Sequence, residues 1–306
     1  MAGAVEERDG APPMVRTQPP SPARSAVGAV LRLSTEHLAR ARVASPRLDS
    51  ELILAHVLGL SRIDLYLQFD RPLLESELQP IRDLLRRRAA GCPVAYLVGA
   101  REFHSLNFTV SPAVLIPRPE SELLVDIGAA LVGEVRTRVL ELGCGSGCVA
   151  VALARSAPSA RVDLVDLSPE AVAIAARNAE ALGVEDRVEV LCGNWVDPVR
   201  ARGPYDLVVS NPPYVTTAEW DGLDPGVRDF EPRLALDGGP DGLTSYRELL
   251  AVLPQVVRPG SVVLLEGDPR RLGGVDELAR AAWPAAETSL HRDLSGRDRV
   301  LEVLVR

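Results

Sequence analysis

Short apolar segments alternate with amphipathic ones from Arg136 to the end of the chain, the pattern of an α/β protein with a parallel sheet. The strands that this pattern predicts cover residues 139–142, 161–165, 188–191, 206–210, 261–266, 287–292 and 299–305. The predicted helices cover residues 148–156, 169–182, 245–257 and 275–282. Because the last two strands are close in sequence, we expect them to pair as an antiparallel hairpin. The sequence therefore predicts an α/β fold with a seven-stranded, Rossmann-like sheet.

The segment from about Val27 to Gly91 has helical spacing throughout. Ser45 and Pro46 suit the N-cap and the first position of a helix, and Gly59 suits its end. We expect this helix, residues 47–58, to direct one set of apolar side chains to the core: Leu48, Leu52, Leu54, Ala55 and Leu58. A second helix, residues 75–90, has a core stripe of Leu78, Ile81, Leu84 and Leu85. Residues 27–92 are thus predicted to form a small helical domain.

The pattern changes again between these two regions. Residues 93–118 hold two short β-like segments on either side of Ser105, which we interpret as a β-hairpin linker. An extended segment then leads into a helix predicted from Ser121 to Val132, within a second domain of residues 119–306. Arg118 lies between two prolines that stiffen its backbone, so a role near an anionic group is one interpretation of this residue.

The composition limits the class of protein. The 306 residues are 46% hydrophobic and 25% charged, as in soluble globular proteins, and the net charge is −8. That charge argues against a broad nucleic-acid surface, and no apolar run is as long as a membrane span. Residues 1–26 are rich in Pro and Ala and contain early acidic residues, which predicts a disordered tail and no targeting signal. Cysteines without paired spacing indicate a reducing compartment, so we expect a cytoplasmic protein without a metal site.

A glycine-rich turn follows the first strand of the predicted sheet. Gly143, Gly145 and Gly147 form the pattern G-x-G-x-G, and glycines let the backbone pass close to a ligand. The helix that starts at Cys148 offers free N–H groups to that ligand. Asp166 lies about 20 residues past the glycines, where a carboxylate can accept hydrogen bonds from both ribose hydroxyls. A dinucleotide-binding enzyme would have the spacing G-x-G-x-x-G, so the pattern favours the mononucleotide-binding half of a Rossmann-type sheet.

Asn211, Pro212, Pro213 and Tyr214 follow the fourth strand of the predicted sheet. A side chain at the carboxyl end of a parallel strand lies where open α/β sheets bind their ligands. The Asn211 side-chain oxygen and the Pro212 carbonyl can accept the two hydrogens of a planar, conjugated –NH2 group, and Tyr214 can stack on its plane. Asn before two prolines is also ordinary in a turn, so this motif alone leaves both interpretations open. Its combination with the glycine turn and Asp166 favours a site.

These motifs resemble those of known families. The run from Glu141 to Gly147 is similar to the first motif of class I S-adenosylmethionine-dependent methyltransferases, in which the loop wraps the methionine part of the cofactor. Asn-Pro-Pro-Tyr is shared by adenine-N6 DNA and RNA methyltransferases and by protein glutamine-N5 methyltransferases. The remaining motifs resemble the release factor glutamine methyltransferases (the HemK/PrmC family): residues 44–49, 101–103, 115–120, 230–232, 234–236, 292–294 and 296–299. The resemblance covers essentially all of the chain after residue 30.

The resemblance implies methylation of the glutamine in the Gly-Gly-Gln loop of class I peptide chain release factors, with S-adenosylmethionine as cofactor. It also implies that the N-terminal helical domain helps to hold the release factor. Carried over by position, the residues expected to contact the cofactor are Gly143, Cys144, Gly145, Ser146, Gly147, Asp166, Trp195 and Asn211. Those expected to hold the glutamine are Asn211, Pro212, Pro213 and Tyr214, with Asn211, Pro212 and Tyr214 as the catalytic set. Trp195 lies where the family contacts adenine, and the alternative for this residue is a half-buried core tryptophan.

Other functions stay open at this stage. A glutamine methyltransferase that acts on a ribosomal protein would share the catalytic half, so only the N-terminal domain argues against it. An adenine-N6 nucleic-acid methyltransferase would need a basic face, which the net charge of −8 does not favour. A non-catalytic cofactor-binding scaffold is disfavoured because the Asn-Pro-Pro-Tyr motif is intact. We therefore expect a monomer that binds a release factor and that binds neither nucleic acid nor membrane directly. The chain departs from the family pattern at Glu141, where Asp is commoner, and at the loop from Glu266 to Asp268.

Overall fold

The computed structural model describes residues 25–133 and 137–306. The chain divides into two compact units, Met1–Ala89 and Ala90–Arg306. Most of the tail predicted at residues 1–26 lies outside the described residues. At its described end, the Ser25 carbonyl accepts a hydrogen bond from the Leu73 N–H at 2.8 Å. The finer division of the chain at residues 92 and 118 stays a prediction.

The first unit is helical, as the spacing of its apolar residues predicts. Its helices are α1 (Val27–Arg40), α2 (Pro46–Leu58), α3 (Arg62–Leu67) and α4 (Glu75–Ala89). Pro46 occupies the first turn of α2, and Gly59 ends that helix in the left-handed conformation with a φ of 63°. Leu78, Ile81 and Leu85 are buried on α4, which confirms most of its predicted core stripe; Leu84 is only partly buried.

The face that α2 buries agrees in part with the predicted one: Leu54 and Ala55 are buried as expected, and Leu52 and Leu58 are partly buried. Leu48 is exposed, and the buried residues of this helix are Asp49, Ser50, Glu51, Ile53, Leu54 and Ala55. The Glu51 carboxylate can be buried because Arg47 and Arg62 each pair with it at 2.7 Å. Apolar spacing did not predict the burial of Asp49 and Glu51 because it treats a carboxylate as a surface group. Only the fold brings Arg62, 11 residues further along the chain, to Glu51.

The second unit begins with the short helix α5 (Val94–Val98) and a hairpin of β1 (Ala100–Phe103) and β2 (Leu106–Thr109). The two strands pair antiparallel. His104 and Ser105 at the turn have φ values of 49° and 59°, as a tight two-residue hairpin turn requires. Phe103 and Phe108 are buried and contact each other edge to face, with ring centroids 6.0 Å apart. The structure thus confirms the hairpin predicted between the two regions.

The rest of the second unit is an α/β sheet. Its strands are β3 (Thr137–Leu142), β4 (Ala160–Asp166), β5 (Val188–Cys192), β6 (Leu207–Ser210), β7 (Val262–Glu266), β8 (Glu287–Arg292) and β9 (Asp298–Leu304). Its helices are α6 (Glu122–Leu131), α7 (Cys148–Ser156), α8 (Pro169–Ala181), α9 (Pro225–Arg228), α10 (Thr244–Val252) and α11 (Leu272–Ala282). Within the described ranges, seven strands form one sheet in the order β5-β4-β3-β6-β7-β9-β8. β9 pairs antiparallel with both β7 and β8, which confirms the predicted C-terminal hairpin.

Helices cover both faces of this sheet because its central strands are apolar on both sides. One core holds Val139 and Val209 with residues of α6, α7 and α8. The other core holds Leu140 and Val208 with residues of α10 and α11. The chain proceeds from β3 outward through β4 to β5 and then returns to the opposite side of β3 as β6. The strand order therefore reverses between β3 and β6, and open α/β sheets bind ligands at the carboxyl ends of strands at such a point.

Candidate active site

Glycines shape the turn between β3 and α7. Gly143, Gly145 and Gly147 have φ values of 71°, 53° and 74°, in the left-handed region that other side chains disfavour. Packing is also tight at Gly147, since a Cβ at that position would lie 3.0 Å from the Cβ of Ala175. The Gly145 N–H donates to the carboxylate of Asp166 at 2.8 Å, so the turn folds over the end of β4.

Asp166 ends β4 next to this turn. Its Oδ2 accepts from the Gly145 N–H, and its Oδ1 accepts from the Ser168 N–H at 2.9 Å. Burial raises the pKa of the Asp166 carboxyl, and the hydrogen bonds from Ser168 and Gly145 partly oppose that shift. A carboxylate has acceptor sites for about four hydrogen bonds, so Asp166 can still accept from two hydroxyls.

Trp195 lies shortly after β5, and its backbone φ is 43°. Its indole Nε1–H donates to Oε2 of Glu248 on α10 at 3.1 Å, which orients the ring. The ring is partly buried against the core, so stacking on a base and packing are compatible roles. The sequence did not point to Glu248, which lies 53 residues from Trp195 and carries no local signal.

These side chains meet in a cavity of about 360 Å³, here called the cofactor cavity. Its wall includes Gly143, Gly145, Asp166, Trp195 and Asn211. The volume is within the range of about 300–1,000 Å³ that is typical of small-molecule sites. This lining fits the S-adenosylmethionine that the resemblance implies. The Asp166 carboxylate suits ribose hydroxyls, the flat indole of Trp195 suits stacking, and the glycines leave the backbone free of side chains.

Cys144, Ser146 and Gly147 are not among the residues that line the cofactor cavity; all three are buried behind the turn. The Ser146 carbonyl accepts from Nδ2 of Asn178 on α8 at 2.9 Å. The same Asn178 side chain pairs with both backbone groups of Thr109, at 2.8 and 3.0 Å. Asn178 therefore links the glycine turn to the hairpin. Any effect of these buried residues on the cofactor acts through the shape of the turn.

Asn211 follows β6 and reaches the start of α6. Its Nδ2–H donates to the Oγ of Ser121, a buried residue at the N-terminal end of α6, at 3.2 Å. The Asn211 Oδ1 remains as the acceptor of this side chain. Asn211 lines the cofactor cavity and also a second cavity of about 450 Å³, here called the substrate cavity.

The predicted Asn-Pro-Pro-Tyr residues are distributed over these two cavities. Pro213 lines the cofactor cavity and Tyr214 lines the substrate cavity, whereas Pro212, between Asn211 and Pro213 in sequence, is buried and lines neither. Burial raises the pKa of Tyr214 to about 12, so its hydroxyl is neutral at physiological pH. The side chains around Tyr214 in the substrate cavity include Leu115, Arg118, Leu236, Asp268 and Arg271.

A neighbouring segment holds this loop in place. The Val215 N–H donates to the Leu236 carbonyl at 2.9 Å, and the Gly238 N–H donates to the Val215 carbonyl at 2.8 Å. A Cβ on Gly238 would lie 2.7 Å from the Cα of Tyr214. Only glycine fits at position 238 without moving the Asn-Pro-Pro-Tyr backbone, a requirement that the sequence analysis missed.

Arg118, for which the sequence suggested an anionic neighbour, meets one from its own chain. Its Nη2 donates to Oε1 of the buried Glu231 at 2.5 Å. The other oxygen of Glu231 accepts from the Ile116 N–H at 3.1 Å. Two segments that carry the family resemblance therefore meet at the wall of the substrate cavity.

The described residues contain neither a metal-binding cluster nor a membrane-spanning helix. Within residues 25–133 and 137–306, no cluster of three or more His, Cys, Asp and Glu side chains is placed to hold a metal ion. In the same ranges, no helix combines the length and the apolar character that crossing a bilayer requires. The four cysteines are free thiols, and Cys192 is the exposed one.

Comparison with known proteins agrees with this geometry. The family described as "PrmC N-terminal domain" matches residues 29–99, and the "Methyltransferase small domain" matches residues 120–222. The structure is similar to the hMettl16 catalytic domain in complex with the MAT2A 3′UTR hairpin 6. The TM-score is 0.53 with 16% identity, over 72% of this chain and 81% of that one. At this identity the likeness shows the fold alone. The fold and the site together define a class I S-adenosylmethionine-dependent methyltransferase.

Sequence relatives identify the family. The release factor glutamine methyltransferase of Geobacter sulfurreducens is 44% identical over 237 residues, which are 78% of this chain and 82% of the relative. That of Rhodopirellula baltica is 40% identical over 279 residues, 90% of this chain and 94% of the relative. The chain belongs to the release factor glutamine methyltransferase family.

Proposed function

We propose that this enzyme transfers the methyl group of S-adenosylmethionine to the side-chain amide nitrogen, N5, of a glutamine in class I peptide chain release factors. The target is the glutamine of the Gly-Gly-Gln loop. The observation that supports this most is the position of Asn211, which lines both the cofactor cavity and the substrate cavity. A side chain at that junction can hold an amide of the substrate against the reactive end of the cofactor. Membership of the family supports the choice of substrate.

The chemistry of the amide explains why such a site is needed. A glutamine amide nitrogen is a weak nucleophile because its lone pair is delocalised into the carbonyl group. The Asn211 Oδ1 and the Pro212 carbonyl accept the two amide hydrogens and thereby fix the direction in which the nitrogen presents its π face. Tyr214, neutral and partly buried, packs against the plane of the amide. When bound, S-adenosylmethionine supplies an electrophilic methyl carbon, and the amide gives up one hydrogen as a proton in exchange for the methyl group.

The cofactor cavity supplies the other half of the site. In this proposal the Asp166 carboxylate accepts from the ribose hydroxyls, and Trp195 covers the adenine, its ring held by Glu248. The backbone at Gly143 and Gly145 lies along the methionine part, where any larger side chain would narrow the cavity.

Recognition of the release factor is assigned to the N-terminal helical unit. The match to the PrmC N-terminal domain over residues 29–99 supports this assignment. On α3, the large apolar side chains of Ile63 and Leu67 are 73% and 77% exposed, so both are accessible to a partner. Replacing both with serine is expected to raise KM for the release factor and to leave the Kd of the cofactor unchanged. An unchanged KM would remove α3 from the recognition surface.

The proposal is tested by incubating the protein with labelled S-adenosylmethionine and, in parallel, purified release factor, ribosomal proteins and DNA. The expected result is label on the release factor alone. Label on a ribosomal-protein glutamine would keep the chemistry and reassign the N-terminal unit, whereas label on adenine would overturn the choice of substrate class. Sedimentation of the same preparation tests the expectation of a monomer. The proposal also includes action in the cytoplasm, where translation terminates.

A further inference from the structure

Asn178 is a buried polar residue on the apolar face of α8, with a side chain that is bonded at every polar atom. The other buried residues of this helix are all apolar: Ala171, Ile174, Ala175 and Ala179. Oδ1 of Asn178 accepts from the Thr109 N–H at 2.8 Å. Its Nδ2 donates to the Thr109 carbonyl at 3.0 Å and to the Ser146 carbonyl at 2.9 Å. Asn178 is 1% exposed, so these three bonds replace those that water would supply.

Asparagine suits this position because it combines one acceptor with two donor hydrogens in a short side chain. Aspartate has the same size and keeps the acceptor, but it has no donor when ionised. An apolar residue, such as those beside Asn178 on α8, would leave three backbone groups without this partner. Packing of α8 therefore does not explain the amide, whereas its contacts with Thr109 and Ser146 do.

The contact with Ser146 fixes the glycine turn. Gly143 and Gly145 of this turn line the cofactor cavity. The turn is held at two successive residues, because the Gly145 N–H donates to Asp166 and the Ser146 carbonyl accepts from Asn178. Without the second bond, the turn would be held by Asp166 from one side only.

The contact with Thr109 fixes a second part of the same cavity. Thr109 ends β2, and the chain continues into residues 113–115, which line the cofactor cavity. Further along this segment, the Val114 carbonyl accepts from the Tyr96 hydroxyl at 2.6 Å. The segment is thus anchored before residues 113–115 by Asn178 and within them by Tyr96.

We infer that Asn178 is a positioning residue that holds two walls of the cofactor cavity, the glycine turn and residues 113–115, at the spacing that S-adenosylmethionine requires. This inference rests on the proposed place of the cofactor along these walls. Asn178 is not among the residues that line the cavity, so it acts on the cofactor through the walls. Walls that are already fixed lose less freedom when a ligand binds, and the ligand binds more tightly.

The test measures the Kd of S-adenosylmethionine by calorimetry for the wild type, Asn178→Ala and Asn178→Asp. Alanine removes all three bonds, and aspartate keeps the size of the side chain and the bond from the Thr109 N–H. We expect the Kd to rise about tenfold or more in both variants, as for the loss of one or two buried hydrogen bonds. The KM for release factor, and kcat at saturating cofactor, should stay within about twofold of wild type.

Ser261→Ala is the matched control. Ser261 is 1% exposed, and its hydroxyl donates to the Tyr205 carbonyl at 2.7 Å and accepts from the Arg258 N–H at 3.0 Å. It precedes β7, at the edge of the sheet away from the cofactor cavity, so the Kd should not change. A Kd within about twofold of wild type in both Asn178 variants, or equal losses in Kd, KM and kcat, would overturn the inference.

NMR hydrogen exchange without cofactor tests each wall separately. The Gly145 N–H donates to Asp166, and the Val114 N–H donates to the Ser111 carbonyl at 3.1 Å, so neither is bonded to Asn178. Both amide hydrogens should exchange about tenfold or more faster in Asn178→Ala and at the wild-type rate in Ser261→Ala. Faster exchange at only one of them, or at neither, would overturn the inference.

The wild type alone supplies a further readout, which does not require that any variant folds. Both side-chain amide hydrogens of Asn178 should exchange slowly, because each is donated to a buried carbonyl. Fast exchange of either hydrogen would overturn the inference. If the wild type binds no S-adenosylmethionine, the proposed function fails, and the exchange measurements still decide whether Asn178 holds the two walls.

Discussion

Arg118 and Glu231 form an ion pair at 2.5 Å although 113 residues separate them in the sequence. The Glu231 side chain is 1% exposed and that of Arg118 is 32% exposed. Because water hardly reaches the Glu231 carboxylate, its hydrogen bonds come from this arginine and from the Ile116 N–H. The pair joins the segment that carries Leu115 to the segment that carries Ala235, and both of these residues line the cofactor cavity and the substrate cavity. An ion pair outside the predicted catalytic set thus holds two walls of the site together.

Replacing Arg118 with methionine is expected to lower the free energy of unfolding by about 2–4 kcal/mol, because Glu231 would keep a buried charge without its partner. The loss is measured by urea denaturation. Arg247→Met is the control, since Arg247 and Asp241 form an ion pair in which both side chains are 48% exposed. That pair should contribute no more than about 1 kcal/mol. Equal effects of the two substitutions would show that the Arg118 pair is no more important than a surface pair.

Asn211→Ala is expected to lower kcat about 100-fold or more, because the substrate amide loses an acceptor that orients its nitrogen. The fold should be retained, since Asn211 contributes one side-chain hydrogen bond, to Ser121. Single-turnover methylation at saturating release factor measures the change, and circular dichroism checks the fold. A folded variant with wild-type kcat would contradict the assigned role.

Tyr214→Ala is expected to weaken the release factor more than the cofactor. Tyr214 lines the substrate cavity and is not among the residues of the cofactor cavity. The change should therefore raise KM for the release factor about tenfold or more, as expected for the loss of a stacked aromatic ring, and leave the Kd of S-adenosylmethionine nearly unchanged. Equal losses in both constants would mean that Tyr214 supports the structure of the loop.

Gly238→Ala is expected to lower activity although the residue bears no functional group. The added Cβ would lie 2.7 Å from the Tyr214 Cα and 2.8 Å from the Pro213 carbonyl oxygen, so the Asn-Pro-Pro-Tyr backbone must move. Gly273→Ala is the matched control, since nothing lies within 4 Å of a Cβ at that position of α11. We expect a loss of kcat of about tenfold or more for the first variant and none for the second. A fully active Gly238→Ala enzyme would show that the loop tolerates this shift.

Glu141 is expected to make stability depend on pH. Burial raises its pKa from an ordinary 4.5 to about 8. The folded protein then keeps a proton that the unfolded chain has lost, so the stabilisation is complete below about pH 4.5 and disappears as the pH rises through about 8. Between these values the free energy of unfolding should fall by up to about 1.4 kcal/mol per pH unit from this group.

Glu141→Gln tests this expectation. The Glu141 carboxylate accepts a hydrogen bond from the Ala150 N–H at 3.0 Å, and glutamine keeps a side-chain oxygen that can accept the same bond. Urea denaturation from pH 6 to pH 9, without cofactor, should show a smaller decline in the variant than in the wild type. Parallel declines would mean that Glu141 titrates in its ordinary range.

Local motifs and long-range contacts were not equally predictable. The glycine turn, Asp166 and Asn211 could be found in the sequence because each depends on residue types at a fixed spacing beside an apolar strand. Ser121, Glu248 and Gly238 could not, because each acts on a residue that only the fold brings close. The burial of Glu51 on α2 was not predicted for the same reason, since its partners include a residue from α3. Spacing thus identified residues that line the two cavities, and packing determined the residues that hold them in place.

The most direct test of the central claim is fragment mass mapping of release factor after incubation with the wild-type enzyme and with Asn211→Ala. We predict one added methyl group on the glutamine of the Gly-Gly-Gln loop with the wild type and an unmodified glutamine with the variant. A methyl group on any other residue, or equal modification by both proteins, would contradict the account.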